Sequence, residues 1–481
     1  MASIGIDFGT SNCSANVARS DGVLPIHLDG QNFMLPSVVF TARREVALRQ
    51  IESNEFSKRL RSARAEQTRI MEKGGSAIDD EQLKKAISDA MRREAANEAN
   101  KAYWDQTFFS MLKSGQAAIF GTPALQAYFS DPTGGVLMRS PKSFLGSDIK
   151  HEYLLQFEDV VAAMLGHIKR LAETESNCEI SNALFGRPVR YHGTQGDDGN
   201  AQALKLMKNA AFRAGFKDIH FELEPLAAAY EYESTIADDQ TILVIDVGGG
   251  TTDCVMVRIG PTHVNSPSRK TDVLGVSGDR VGGTDFDELL AWSAFMPEFG
   301  KDSLATNGLP IPHSVLYDAI SVRNLPAQLR FRSARYDIEN LLKQSASPER
   351  LVRLQTLHQR QFQHRLIHSA ELGKIALSKT NKCTVPLKYI DENLAIPIDG
   401  ESLADSTSRL VDKIRALAAD TIASAGIKPD VIFMTGGMAI SPIVSAAIAG
   451  IAGKDIPIKS SDMLGTVGHG LGLCAQRIFE V

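Results

Sequence analysis

Residues 242–257 read ILVIDVGGGTTDCVMV, and the architecture is inferred outward from them. The apolar run Ile242-Leu243-Val244-Ile245 predicts a buried strand. Asp246 follows where that strand ends, then Gly248-Gly249-Gly250, Thr251, Thr252 and Asp253, and a second apolar run from Cys254 to Val257. Consecutive glycines carry no Cβ to block a close backbone approach and tolerate positive φ. Backbone N–H groups in such a turn can converge on an anion. A carboxylate beside them suits a hydrated Mg²⁺, which takes a carboxylate or two plus phosphate oxygens. An ordinary Gly-rich hairpin turn is the plainer reading of this stretch taken alone.

The pattern occurs twice, which favours the phosphate-binding reading. Ile4 to Arg19 reads IGIDFGTSNCSANVAR and lies over Leu243 to Arg258 without a gap. Asp7 falls on Asp246, Gly9 on Gly248 and Arg19 on Arg258. Two such strand–Asp–x–Gly–turn–strand units predict two similar lobes facing one nucleotide. The chain contains no G-x-x-x-x-G-K-[ST], so this is not a P-loop.

With 481 residues the chain is too long for one core, and usual domain sizes suggest roughly two to four domains or subdomains. A net charge of −5 gives no nucleic-acid footprint. The cysteines Cys13, Cys178, Cys254, Cys383 and Cys474 are scattered and form no C-x-x-C, which suits a reducing compartment and argues against a disulfide framework or zinc site. The first strand begins at about Ser3, so no signal peptide is expected. No apolar run reaches membrane-spanning length, so no membrane partner is expected and the default location is the cytoplasm.

In chain order, Leu35 to Phe40 predicts a strand reached through a Pro turn. From about Ile51 to Gly115 the chain turns helical and highly charged. Leu83, Ile87, Ala90 and Met91 share one helix face behind Asp79 as N-cap, a stripe read as packing on its own lobe rather than binding a partner. Lys142 lies in RSPKSFLGSD, where a lone lysine is ordinarily a solvated surface residue. Helices are predicted over Gln156–Glu173 and Asn200–Ala214, the latter ended by Gly215. Glu224, before Pro225, sits at a strand-to-helix switch, where its carboxylate can cap the helix or reach a metal-bound water. Gly282-Gly283 leads into a helix capped by Thr284 or Asp285, a further anion contact. His358, His364 and His368 read as a solvated helix face. Glu371, Lys374 and Ser378 line one helical face that could hold ribose hydroxyls or be a surface ion pair. Gly436-Gly437 follows the strand at Val431 and offers bare backbone to a ligand's adenosine end. Gly465, Gly468, Gly470 and Gly472 miss the dinucleotide fingerprint because Leu473 replaces its last glycine, leaving close helix packing as the account.

Taken in order, these motifs resemble the actin-like ATPase superfamily, and most closely the nucleotide-binding domain of the heat shock protein 70 (DnaK-type) chaperones. IGIDFGTSNCSANV, ELEPLAAAYEY, LVIDVGGGTTDCVMV and GDRVGGTDFDELL carry the resemblance, which extends to about residue 476 with interruptions at about 45–118 and about 297–365. It implies an α/β, two-lobed actin-like ATPase fold (a duplicated ribonuclease H-like fold) with helical insertions. Lobe I would span 1–236 with an insertion at about 45–118, and lobe II 237–481 with a helical subdomain at about 286–378. It also implies ATP and Mg as cofactors and an ATP-hydrolysing chaperone-like function toward unfolded or client protein.

By the same resemblance Asp7 and Asp246 hold hydrated Mg²⁺, and Gly9, Thr10, Ser11 and Asn12 form the first phosphate loop. Gly248, Gly249, Gly250 and Thr251 form the second, with Gly282 and Gly283 near the phosphates. Lys142 approaches the γ-phosphate, Glu224 acts through metal-bound water, and Asp253 accepts the water proton. Glu371, Lys374, Ser378, Gly436 and Gly437 contact ribose and adenine.

Two departures are expected to matter. Ile375 and Ile440 stand where the family sandwiches adenine between arginines, which removes a cation–π contribution. The sequence ends at Val481 without the family's linker and peptide-binding domain, so peptide clamping is not implied. Small-molecule kinases and filament-forming or scaffold proteins of the same superfamily are the competing functions.

Overall fold

The computed structural model describes residues 2–104, 110–111, 117–191, 196–264, 269–452, 455–460 and 465–479. It divides into two compact units. The first contains residues 1–39, 119–133 and 137–481, and the second residues 40–118 and 134–136.

Two sheets of matching topology organise the first unit. The strands Ala2–Phe8 and Asn12–Arg19 form an antiparallel hairpin extended by Gly22–Pro25, and Ala2–Phe8 runs parallel to Ile180–Arg187, which pairs in parallel with Asp218–Leu223. The second sheet repeats this order: Val273–Asp279, Thr252–Ile259 and Gln240–Val247 are antiparallel neighbours, followed by parallel Val431–Thr435 and Ile458–Ser460. Even the hairpin register repeats. Asp7 lies opposite Ser14 and Phe8 opposite Cys13, just as Asp246 lies opposite Asp253 and Val247 opposite Thr252. This mixed α/β architecture, with one sheet duplicated as the other, is the actin-like ATPase fold expected above.

The strands are buried on both faces: Ile4, Ile6, Ile242, Leu243, Val244 and Ile245 are fully inaccessible. Near-continuous apolar runs are what a sheet covered on both sides requires. Among the covering elements is the helix Thr466–Ile478, whose glycines let backbones touch. A Cβ on Gly470 would lie 1.9 Å from the Ala227 carbonyl oxygen, and one on Gly5 would lie 2.3 Å from the Leu471 carbonyl carbon. Close packing is therefore the role of this Gly-rich stretch.

The same helix is tied to Glu224–Glu233 by His469 Nδ1 and Glu231 Oε2, 2.5 Å apart. That hydrogen bond raises the His469 pKa, against partial burial. A histidine pKa raised on folding contributes stability that is complete below the unfolded value of about 6.5 and is lost as pH rises through the folded value. His469→Gln is thus expected to flatten the decline in urea-unfolding stability above about pH 6.5. Parallel pH profiles for wild type and variant would refute this coupling.

A helical region surrounds a separate core that runs from Leu290 through Phe299, Leu316, Phe331, Leu354 and Leu366 to Leu403. It includes the two-stranded sheet Lys382–Pro386 with Ala395–Asp399. His364 and His368 are not on a solvated face as expected. His364 packs edge-on against Tyr128, with its pKa pushed down to about 3 by burial and then by Arg139, and His368 lies over Phe129. His358 packs edge-on against Phe331. The apolar neighbours come from distant sequence, so helical spacing could not reveal them.

In the second unit, Ser53–Glu72 and Asp80–Trp104 are charged helices. Asp79 caps the second through Glu81 N–H, at 3.1 Å, as its position predicts. Arg64 bridges the helices in a bidentate pair with Asp80, at 2.8 and 2.7 Å, and Arg59 reaches Glu94 at 2.7 Å. No described helix of the chain is long and apolar enough to cross a membrane.

Candidate functional site: two facing hairpins

Both aspartates of the repeated motif lie at the carboxyl ends of their strands, where open α/β sheets present ligand sites. The hairpin turns meet there. A Cβ on Gly249 would fall 1.8 Å from Ser11 Oγ, so a side chain at that glycine would collide with the opposite turn.

In the first turn the carbonyls are held from outside. Ser37 Oγ donates to Gly9 O at 2.7 Å, Ser140 Oγ to Thr10 O at 2.6 Å, and Ser37 N to Ser11 O at 2.8 Å. A planar trans peptide points its N–H opposite its C=O, so these anchors turn the following N–H groups away from Ser37 and Ser140. Asn12 begins the returning strand. The second turn is braced in the same sense: Gly248 N closes on Thr251 O, while Gly283 N and Thr284 N take Gly248 O and Gly249 O, all at 2.9 Å. A Cβ on Gly282 would sit 2.5 Å from Gly250 N, so the helix start can press on the turn only through glycine. The helix Gly283–Leu290 is capped from within, because Asp285 Oδ2 accepts the Gly282 N–H at 2.8 Å. Neither Thr284 nor Asp285 is the N-cap expected from the sequence: Gly282 holds that position, and Asp285, in the first turn, satisfies its N–H.

Ionisable groups gather beneath the turns. Lys142 stands on the short 3₁₀ turn Pro141–Phe144, entered through Ser140 in the left-handed region at φ 54°. It is no surface lysine: its side chain is 5% exposed, and Nζ lies 2.5 Å from Glu224 Oε1. Burial opposes the Lys142 charge, but Glu224, Tyr191 and Asp7 outweigh it and keep the pKa above the ordinary lysine value. Tyr191, its ring 5.9 Å from Lys142 Nζ, is pushed up to about 12 mainly by burial.

Asp7 is raised to about 7 by burial and then by Glu224, with Lys142 opposing. Asp253 is likewise raised to about 7 by burial and by Glu224, against the Val189 N–H that it accepts at 2.7 Å. Asp246 is raised well above its ordinary value by burial, then by Glu224, Asp253 and Asp7. Four carboxylates therefore share one buried lysine. A cation would relieve their mutual repulsion, and Asp253 Oδ2 is buried without a hydrogen-bond partner among the described residues. An excess of hard oxygen donors fits Mg²⁺.

A second group adjoins the first. Lys374 Nζ donates to Gly283 O at 2.9 Å and pairs with Asp287 at 2.7 Å. Glu371 is held at about 2: burial works against its charge, but hydrogen bonding from His368 and the Arg139 guanidinium, 3.2 Å away, outweigh it. The two residues are thus neither a surface pair nor paired with each other. Ser378 turns its hydroxyl back to Lys374 O at 3.4 Å. Gly436 has φ 86°, and a Cβ there would meet Asp246 Oδ1 at 2.4 Å, whereas Gly437 faces open space. Through Gly436 and Gly283 the residues read as adenosine contacts are contiguous with the hairpins. Ile375 and Ile440 are 45% and 59% exposed.

Sequence reasoning missed Ser37, Ser140, Tyr191, Asp287 and Arg139. Only Ser140, before a Pro-Lys turn, left any local signal; the others arrive from distant segments.

Comparison with known proteins finds one family. Residues 138–306 match the family model described as Hsp70 protein. The chain is 28% identical over 335 residues to "Chaperone protein DnaK" of Thermosipho africanus (strain TCF52B), covering 66% of this chain and 45% of that protein. It is 27% identical over 362 residues to the protein of the same name from Thermosipho melanesiensis, covering 71% and 48%. To that of Akkermansia muciniphila it is 25% identical over 309 residues, covering 62% and 38%. The chain spans less than half the length of each of these relatives. With the duplicated sheets and paired glycine hairpins, these matches show that the chain is similar to Hsp70 proteins.

Proposed function

We propose that this chain binds Mg·ATP between its two glycine hairpins, hydrolyses it, and uses the nucleotide state to act on client protein as a chaperone-like ATPase. The observation that carries the reading is the pair of hairpins in identical register, carbonyls anchored outward, above a buried cluster of acids and one lysine. In this reading residues 1–236 and 237–481 are the two lobes.

Asp7 and Asp246, with Glu224 through water, would hold Mg²⁺, which supplies charge neutralisation for the phosphates. Thr10 to Asn12 and Gly248 to Thr251 cradle the phosphates with backbone N–H groups. Lys142 shares its charge between Glu224 and the terminal phosphate. Asp253 fits the acceptor of the attacking water's proton: one oxygen is fixed by Val189, the other is free to accept, and a pKa near 7 suits that exchange. Positioning and electrostatics of this kind are what phosphoryl transfer demands.

Steady-state phosphate release by purified protein with Mg·ATP, alone and with an unfolded protein, tests the reading. Turnover stimulated by unfolded protein supports it. Absence of turnover and binding sinks it, and phosphate transfer to a metabolite in place of water redirects it to a kinase. Base selectivity is expected to be weak, because the exposed aliphatic Ile375 and Ile440 contact a purine without distinguishing its edges. ATP and GTP should bind with dissociation constants within about tenfold, the worth of one ordinary hydrogen bond. A much larger preference for ATP in calorimetric titration would contradict this.

A further inference from the structure

Three successive carbonyls in the second hairpin are anchored, but not by the same means. Gly248 O and Gly249 O are held by backbone N–H groups of the helix start at Gly283 and Thr284. Gly250 O is held by a side chain: Arg323 Nη2 donates to it at 3.1 Å. Because the peptide is planar and trans, each anchor aims the next residue's N–H the other way. Arg323 therefore sets the direction of the Thr251 N–H. Glycine at 250 makes that peptide plane cheap to rotate, so the anchor matters more here than in an ordinary strand.

Arg323 is itself fixed. Its side chain is 5% exposed, and Nη1 donates to Asp285 Oδ2 at 2.6 Å. That same oxygen accepts the Gly282 N–H at 2.8 Å, so the guanidinium and the helix cap are one assembly. Arg323 follows the helix Ser314–Ile320, within the stretch at about 297–365 that the sequence reads as an interruption of the family pattern.

We propose that Arg323 is a positioning residue for nucleotide hydrolysis: by holding the Gly250 carbonyl it keeps the Thr251 N–H aimed at the terminal phosphate, and it makes the helical segment part of the phosphate site. The inference rests on the Mg·ATP reading above. Movement of the segment then reaches the chemistry through one guanidinium.

The test compares wild type, Arg323→Lys and Arg323→Met in single-turnover hydrolysis and in Mg·ATP and Mg·ADP binding. Loss of one aimed donor lowers transition-state stabilisation by about 10- to 100-fold, toward the lower end for oxyanion donors because Thr251 remains present. Arg323→Met should lose that much in rate, with ADP affinity changed less than about threefold, since ADP lacks the phosphate concerned. Arg323→Lys, or ethylguanidinium added to Arg323→Met, should restore part of the rate. Wild-type rates in Arg323→Met overturn the proposal, as does a uniform loss of ATP binding, ADP binding and folding stability without rescue. If wild type neither binds nor hydrolyses Mg·ATP, the functional reading fails, and a nucleotide-free crystal structure of Arg323→Met decides the positioning claim. A rotated Gly250 carbonyl upholds it and an unmoved one overturns it.

Discussion

Lys142→Ala is expected to lower ATP turnover by about 10²- to 10³-fold, the usual cost of removing one preorganised charge-stabilising donor. Lys142 is the buried cation among Asp7, Glu224, Asp246 and Asp253, and its charge works to lower the pKa values of the three aspartates. In the proposed complex, its loss would leave the carboxylates facing the triphosphate without the lysine charge that sits among them. Breaking a buried pair also costs stability, about 3–5 kcal/mol when the partner stays charged. Glu224 is 10% exposed and can recruit water, so the lower end is expected here. Asp246→Ala should likewise abolish turnover but leave stability nearer wild type, since it removes a repelled charge. Phosphate release and urea unfolding on the same samples separate the two effects. Both variants turning over at the wild-type rate would remove the assigned site.

Gly470→Ala should cost about 3 kcal/mol or more, at or beyond the upper end for overpacking. The added methyl would meet Ala227 O at 1.9 Å and Ala227 C at 2.5 Å. Both are backbone atoms of the buried helix that begins at Glu224, so no side-chain rotation relieves the clash. The helices must separate, and the Lys142 partner moves with them. Gly450→Ala supplies the control, because a Cβ there meets nothing within 4 Å in the helix Pro442–Ala452. Helix propensity alone predicts a gain of about 0.5–1 kcal/mol. Urea midpoints should therefore shift in opposite directions. A Gly470→Ala midpoint matching wild type would show that the packing is looser than described.

The hairpins were legible in the sequence because their signal is local: an apolar run, an aspartate, glycines and a second run, written twice at one spacing. The packing role of Gly468, Gly470 and Gly472 was legible for the same reason. Lys142 was not, because nothing around it distinguishes a buried lysine from a solvated one until Glu224, 82 positions away, is brought to it. Family resemblance alone singled it out. Arg323 escaped entirely, since its partners Gly250 and Asp285 lie 73 and 38 positions back. The histidines were misread because helical spacing reports which residues share a face, not whether another segment covers that face.

The equivalence of the two hairpins breaks at one rung. Where the second carries Asp253, the first carries Ser14, whose hydroxyl is sealed under Gly468. A scaffold copied in backbone is thereby lopsided in chemistry: only one half can take up a proton at that level. The repeat thus has a polarity, and in the proposed hydrolysis the attacking water would be activated from a single side.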